Sequence, residues 1–347
     1  HVLSLTGPKP TTSIQAAARE GRYRRMAEWC ASSGAQGIVT AHTLEDQAET
    51  LLMRLARGSG VDGLSAMPFE TVLHGIRVFR PLLDVPRARL ENYLGEIGQA
   101  YIRDPSNLDT AFERVRVRNA QSSMRALGLT AKALALSAKR LGRARLALDG
   151  AAAGLESSCV RYQPEGHAII DAGGYLDAPA ELQVRVLQRV LAIAGGPSHA
   201  PQLAAVERAA AWMAGTESSS RTLGGCRISR RSSSFIIGRE RGRMRTARMT
   251  IHPGETLSWD SRFAVQLAPE AAAEMELLPL WEARPGARVR RPAGLPDFVF
   301  QTLPALLSAG EIALVPQLGY CRPGFKGPEM ARVRPLFRRG ESSFTVR

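Results

Sequence analysis

At 347 residues the chain exceeds a single typical core, so two or three domains are expected. No apolar run approaches the roughly 20 residues of a membrane span, and the first residues do not read as a signal peptide, which argues against helical membrane and secreted classes. Lys plus Arg number 46 against 32 Asp plus Glu, and the resulting +14 favours a polyanionic partner. Lysine supplies only Lys9, Lys132, Lys139 and Lys326, and with Ala and Gly abundant that bias reflects a GC-rich genome as readily as recognition. The net excess therefore carries weight, and the choice of Arg does not. Cys30, Cys159, Cys226 and Cys321 stand apart with no C-x-x-C pair, which argues against zinc ribbons, iron–sulfur clusters and a disulfide framework. A reducing, cytoplasmic setting fits that usage.

In chain order, residues 1–120 alternate helical patterns (Gln15 to Cys30, Leu44 to Arg57, Ala88 to Leu94) with strand-like runs (Gly37 to Thr40, Ile76 to Phe79). That alternation is the rhythm of an open parallel sheet in an α/β domain. Thr130 to Leu155 is Ala/Leu/Arg-rich without proline and reads as a connecting helix, with Lys132, Lys139 and Arg143 on one side. Helices follow at Leu182 to Ala194, ending at Gly195-Gly196-Pro197, and at Leu203 to Met213. Arg227 to Arg239 has strand character, and the alternation of Arg239, Arg241, Arg243 and Arg245 would put four cations on one strand face, a phosphate-contacting arrangement or a charged linker. Beyond 249 the chain is Pro-rich with short apolar runs, the signature of a small β-rich domain, and its late basic residues (Arg322, Lys326, Arg332, Arg334, Arg338, Arg339) extend the positive surface. The expected boundaries are 1–125, 126–248 and 249–347.

Residues 41–64 carry the densest chemistry. At about 100° per residue, Leu44, Ala48, Leu51, Leu52 and Leu55 share one helix face, while His42, Asp46, Glu49 and Met53 fall roughly opposite. Thr43 is a natural N-cap, Glu45 and Asp46 sit at the positive end of the helix dipole, and Gly58 offers a residue free to take positive φ. The pattern predicts a helix anchored in a core that presents a His–Asp–Glu row into a cleft. On charge alone the default is a solvated face. A divalent-metal site is a second reading, weakened because no second His falls at ligand spacing, so no metal ligand is assigned.

The string A-H-x-x-x-D-Q-x-E-T (41–50) followed by R-G-S-G-x-x-G-L (57–64) resembles the tRNA(Ile)-lysidine synthetase family of PP-loop ATP pyrophosphatases. Residues 7–26, Arg80-Pro81-Leu82-Leu83, Asp104-Pro105-Ser106-Asn107 and the cluster Arg114, Arg116, Arg118 resemble further family segments, and Thr222 to Arg227 is a weaker match. The strong likeness covers about residues 1–120. One departure stands out: the family holds pyrophosphate on an S-G-G-x-D-S loop, and this chain has no such string. The expectation is therefore a PP-loop (adenine nucleotide alpha hydrolase-like) domain incomplete at its N-terminus, then a helical/mixed α+β domain and a β-rich C-terminal domain, in a chain not expected to turn over ATP as it stands.

The resemblance implies ATP-dependent joining of free L-lysine to C2 of the wobble cytidine of tRNA(Ile), through an adenylated cytidine, with Mg2+ accompanying ATP. It implies that Asp46 and Glu49 hold the lysine ammonium, that His42 orients nucleotide or cytidine, and that Arg57 with Gly58-Ser59-Gly60 lines the phosphate side. Arg80, Arg114, Arg116 and Arg118 would neutralise phosphates of ATP or tRNA, with Thr50, Asp104 and Asn107 shaping the substrate pocket. Read without the family, Asp104 to Asn107 is an ordinary turn and R-V-R-V-R a solvated strand. A non-catalytic tRNA-binding fragment and another PP-loop ATPase stay open, as does assembly into a homodimer.

Overall fold

The computed structural model of the protein describes residues 1–4, 14–102, 113–196, 201–217, 219–244, 248–283, 289–325 and 327–336. They form two compact units, one running to Ala147 and one from Leu148 onward.

The first unit opens with α1 (Ile14–Ser33), β1 (Gly37–Val39), α2 (Leu44–Leu55) and the short α3 (Val61–Leu64). A hairpin follows, β2 (Glu70–Leu73) and β3 (Ile76–Phe79), then α4 (Arg87–Glu96), α5 (Glu113–Asn119), α6 (Gln121–Ala126) and the first part of α7 (Ala131–Cys159). The sheet order is β1-β3-β2. β1 and β3 run parallel, with Val39 opposite Phe79, and β2 pairs antiparallel with β3. The parallel pair matches the expected α/β architecture; β2, not among the strand-like runs read from the sequence, completes the sheet as a hairpin partner. Gly37 fits its place because a Cβ there would stand 2.9 Å from the Phe79 ring and 3.0 Å from the Arg77 carbonyl. The core under α2 joins Ala48 and Leu51 to Ala66 and to Leu134 and Ala138 of α7. Full burial of a Leu contributes roughly 2 kcal/mol, so Leu51 and Leu134 anchor this contact. Leu55, expected on the same face, is 55% exposed.

The second unit holds two modules with separate cores. The central one contains β4 (Val160–Tyr162), β5 (Ala168–Asp171), α8 (Ala172–Leu176), α9 (Ala180–Gly195), α10 (Leu203–Ala214), β6 (Ser220–Leu223), β7 (Cys226–Arg230) and β8 (Ser234–Arg239). Its antiparallel sheet, β4-β5-β8-β7-β6, packs on α9 and α10 through Leu187, Val190, Val206, Met213, Ile228 and Ile237. The strand expected over 227–239 is in fact the β7–β8 hairpin. The terminal module contains β9 (Met249–Ile251), β10 (Thr256–Trp259), β11 (Phe263–Leu267), β12 (Met275–Pro279), α11 (Asp297–Gln301), β13 (Pro304–Ser308), β14 (Glu311–Val315), β15 (Tyr320–Cys321) and β16 (Ala331–Pro335). Its sheets, β10-β11-β16 and β15-β14-β13-β12-β9, enclose Trp259, Phe263, Val265 and Leu314, which gives the β-rich end expected from the Pro-rich sequence.

The arginine alternation at 239–245 does not form a strand face. β8 ends at Arg239, which is buried on Asp260, and Arg241–Arg243 turns as a 3-10 helix. Arg241 stacks over the Trp281 ring at 4.3 Å, and Arg245 lies outside the described residues.

Candidate functional site

The site is built at the C-terminal ends of the parallel pair, where open α/β sheets place their ligand-binding residues. Thr40 continues β1 by donating its N–H to the Phe79 carbonyl at 2.9 Å, and its hydroxyl lies 2.9 Å from His42 Nδ1. The Leu44 amide then bonds to the Val85 carbonyl, and the Glu45 carboxylate accepts from the Arg87 amide at 2.9 Å. These contacts fix the entry of α2 beside the segment after β3.

The string D-Q-x-E-T is used residue by residue. Asp46 closes the cap: one of its carboxylate oxygens, Oδ2, accepts from the Thr43 amide at 2.8 Å and from the Thr43 hydroxyl at 3.0 Å. The other, Oδ1, lies 3.8 Å from an Arg87 guanidinium nitrogen. Gln47 pairs both ways with Met67, donating to its carbonyl at 2.7 Å and accepting from its amide at 2.8 Å. Ala48 is core. Glu49 is fully buried, at 0% exposure, and holds Arg118 Nε at 2.9 Å and Arg114 Nε at 3.4 Å. Thr50 is buried, and its hydroxyl donates to the Asp46 carbonyl at 2.7 Å.

Four expectations are corrected by this geometry. Glu49 does not point outward: α5 packs against that side of α2, and its two arginines compensate the carboxylate. Thr50 presents no hydroxyl to a substrate, because the preceding turn consumes it. Arg80 is 3% exposed, with its guanidinium on the Pro68 carbonyl at 3.0 Å, so it is a buried charge and not a surface phosphate contact. Arg114, Arg116 and Arg118 lie on a helix, not a strand. Residues four apart then share a side, which unites Arg114 with Arg118 on Glu49 and leaves Arg116 on the exposed side.

Arg57 is exposed and ion-paired with Glu113 of α5. Gly58 takes φ +67°, as expected for the residue ending α2, and Gly60 starts α3 after the Ser59 amide has bonded to the Arg54 carbonyl at 3.1 Å. Ser59 packs under Gly63, where a Cβ would meet its Cβ at 2.4 Å. Asp104 and Asn107 lie outside the described residues. Among the described residues no group of three or more His, Cys, Asp or Glu side chains is placed to share a metal ion.

The electrostatics favour an anion. Burial lowers the His42 pKa; Asp46 opposes that, while Arg80, Arg19 and Arg114 lower it further. His42 therefore stays neutral near pH 7, with three guanidinium groups near enough to act on it. A neutral imidazole can accept a hydrogen bond while the exposed Arg19 meets a phosphate. Sequence reasoning missed Arg19, Gln47 and Arg87. Gln47 and Arg19 lay inside segments that resemble the family and carried a signal; Arg87 is brought in by tertiary contacts that no local spacing encodes.

Residues 4–123 match the PP-loop domain family, so the first unit carries a PP-loop domain. The tRNA(Ile)-lysidine synthase of Rhodopseudomonas palustris is 44% identical over 213 residues, 60% of this chain and 60% of that protein. Those of Wolbachia pipientis and Ruegeria pomeroyi are each 30% identical, over 89% and 92% of this chain and 72% and 74% of their own length. The chain belongs to the tRNA(Ile)-lysidine synthase family. It spans about three-fifths of the length of the R. palustris protein.

Proposed function

We propose that the protein acts in ATP-dependent attachment of L-lysine to the wobble cytidine of tRNA(Ile), in the cytoplasm. The observation that carries this reading is the neutral His42, with Asp46 and the exposed Arg19 near enough to act on it, at the sheet end of a PP-loop domain. Such a cluster suits a triphosphate, with Mg2+ brought in on phosphate oxygens. In the first step the cytidine O2 attacks the α-phosphorus of ATP and pyrophosphate leaves. In the second, the lysine ε-amine attacks C2, loses a proton, and AMP departs with the O2 oxygen. The anticodon base is unpaired and can be presented by its edge.

Asp46 is the carboxylate we assign to the lysine ammonium: Oδ2 is spent on the cap, while among the described residues Oδ1 has Arg87 at 3.8 Å. Glu49 serves instead as the anchor of Arg114 and Arg118. The test is Asp46→Asn, which keeps an acceptor for the Thr43 amide and removes the charge. The protein is expressed from its gene with any coding sequence in frame ahead of the codon for His1, and transfer of radiolabelled lysine to a tRNA(Ile) transcript is measured. Loss of about 10²-fold or more in rate with an unchanged circular dichroism spectrum is expected. Wild-type turnover removes Asp46 from the mechanism.

A further inference from the structure

The two modules of the second unit have separate hydrophobic cores, and a buried charge cluster lies where they meet. From the three-residue loop between β10 and β11, Asp260 accepts Arg239 Nη2 on Oδ1 and Arg239 Nε on Oδ2, both at 3.0 Å. Arg262 Nε reaches the same Oδ2 at 2.6 Å. Each arginine then ties a further element: Arg239 Nη1 donates to the Gly195 carbonyl at the end of α9 at 2.7 Å, and Arg262 Nη2 to the Thr302 carbonyl after α11 at 3.0 Å. One carboxylate thus gathers β8 and α9 of the central module with the β10–β11 loop and the end of α11 of the terminal module.

The surroundings are shaped to admit the loop. At Gly196 (φ +76°) a Cβ would lie 3.0 Å from the Asp260 carbonyl, and at Gly166 (φ +77°) a Cβ would lie 2.5 Å from the Phe263 ring. Asp260 and Ser261 both hold positive φ, 48° and 53°, a conformation costly for L residues and kept only where the surroundings over-determine it. Apolar packing tolerates small slides, whereas a bidentate arginine–carboxylate pair in a buried site has one geometry.

We infer that Asp260 is a positioning residue, locking the central and terminal modules at one fixed angle so that they bind tRNA as a single surface. This rests on the proposed reading of tRNA(Ile) as the substrate, and it takes both modules to contact that tRNA. A rigid joint preserves the advantage of two linked contact surfaces, and a loose one forfeits part of it through ordering entropy without removing any phosphate contact.

Cysteine reactivity reports the joint. Cys226 lies against it, with Gly195 packed so closely that a Cβ there would be 3.0 Å from its sulfur, while Cys159 is buried elsewhere in the same central core. The full chain, Asp260→Asn, Arg239→Lys and the core variant Leu187→Ala are alkylated with N-ethylmaleimide and read by peptide mass, and their affinity for a tRNA(Ile) transcript is measured across a salt series. Asp260→Asn is expected to speed modification of Cys226 about tenfold with Cys159 unchanged. Its tRNA affinity should fall about tenfold at an unchanged salt slope. Arg239→Lys keeps the charge but not the bidentate fork and gives a smaller change of the same kind, which serves if Asp260→Asn does not fold. Leu187→Ala speeds both cysteines together and leaves affinity unchanged. Equal acceleration of the two cysteines in the lock variants, or Cys226 opening with unaltered affinity, overturns the inference. A wild-type chain that binds no tRNA overturns instead the reading on which it rests.

Discussion

Glu49 offers the sharpest test of how the first unit is held together. Removing one partner of a fully buried ion pair costs about 3–5 kcal/mol, because the other charge is stranded. Here the carboxylate has 0% exposure, but the Arg118 and Arg114 side chains are 27% and 35% exposed and can turn toward water once it is gone. That lowers the expected cost of Glu49→Gln to about 2–3 kcal/mol, the range of a hydrogen bond to a charged group with its desolvation included. For a unit of this size the loss corresponds to roughly 5–10 °C in melting temperature. Pulsed hydrogen exchange across a urea series, read on peptides from α2 and α5, follows this unit separately from the rest of the chain. The double-mutant cycle with Arg118→Gln isolates the pair, and a coupling of about 1.5–3 kcal/mol is expected. Additivity within about 0.5 kcal/mol would refute the reasoning and reduce the pair to an ordinary surface contact.

Further consequences can be measured independently. His42 has a lowered pKa, so the unfolded chain takes up its proton below about pH 6.5 while the folded chain resists. Stability should fall as pH drops from 6.5 through the lowered native value, and the stability difference between wild type and His42→Gln should be constant above pH 7 and shift against wild type below 6.5; urea midpoints that track each other down to pH 5 would deny the burial. Gly195→Ala places a Cβ 2.3 Å from the Gly224 carbonyl, backbone that cannot rotate away, and should cost about 3 kcal/mol in a urea titration. Gly95→Ala in α4, with nothing within 4 Å, should instead stabilise by about 0.5–1 kcal/mol. Affinity for tRNA should fall steeply and linearly in log–log plots against salt, as expected of a +14 chain, and a flat response would separate that charge from RNA binding.

The sequence was most legible where the period of a pattern matched the element it forms. The 3.6-residue stripe of Ala48, Leu51 and Leu52, with Thr43 as cap and Gly58 at positive φ, placed α2 almost to its ends, and the proline-free run to 155 placed α7. It was least legible where a period of two occurred outside a strand. R-V-R-V-R and the alternating arginines from 239 both look like strands, because every second side chain is charged. The first is the helix α5, and the second is a strand end running into a 3-10 turn. In each case a carboxylate distant in sequence, Glu49 for α5 and Asp260 for Arg239, holds the basic residues, and local alternation has no access to such partners.

The same limit explains why the motif was found while its geometry was misjudged. Position on a helical wheel says which side chains lie opposite the leucines, and it placed Asp46 and Glu49 together there. Whether that side meets water depends on what packs over it, and the cover is α5, about 65 residues further along the chain. Once α5 is in place, Glu49 can be tolerated inside only because it arrives with two guanidinium groups, since an unpaired buried carboxylate would protonate or unfold the site. The carboxylate and the arginines are therefore one unit: losing the arginines strands Glu49, whereas losing Glu49 leaves two partly exposed guanidinium groups that can turn toward water. Asp46 is less enclosed, its side chain 13% exposed, and the helix cap uses only one of its oxygens. Of the two acidic residues in D-Q-x-E-T, it is the one with an atom left to meet an incoming ammonium.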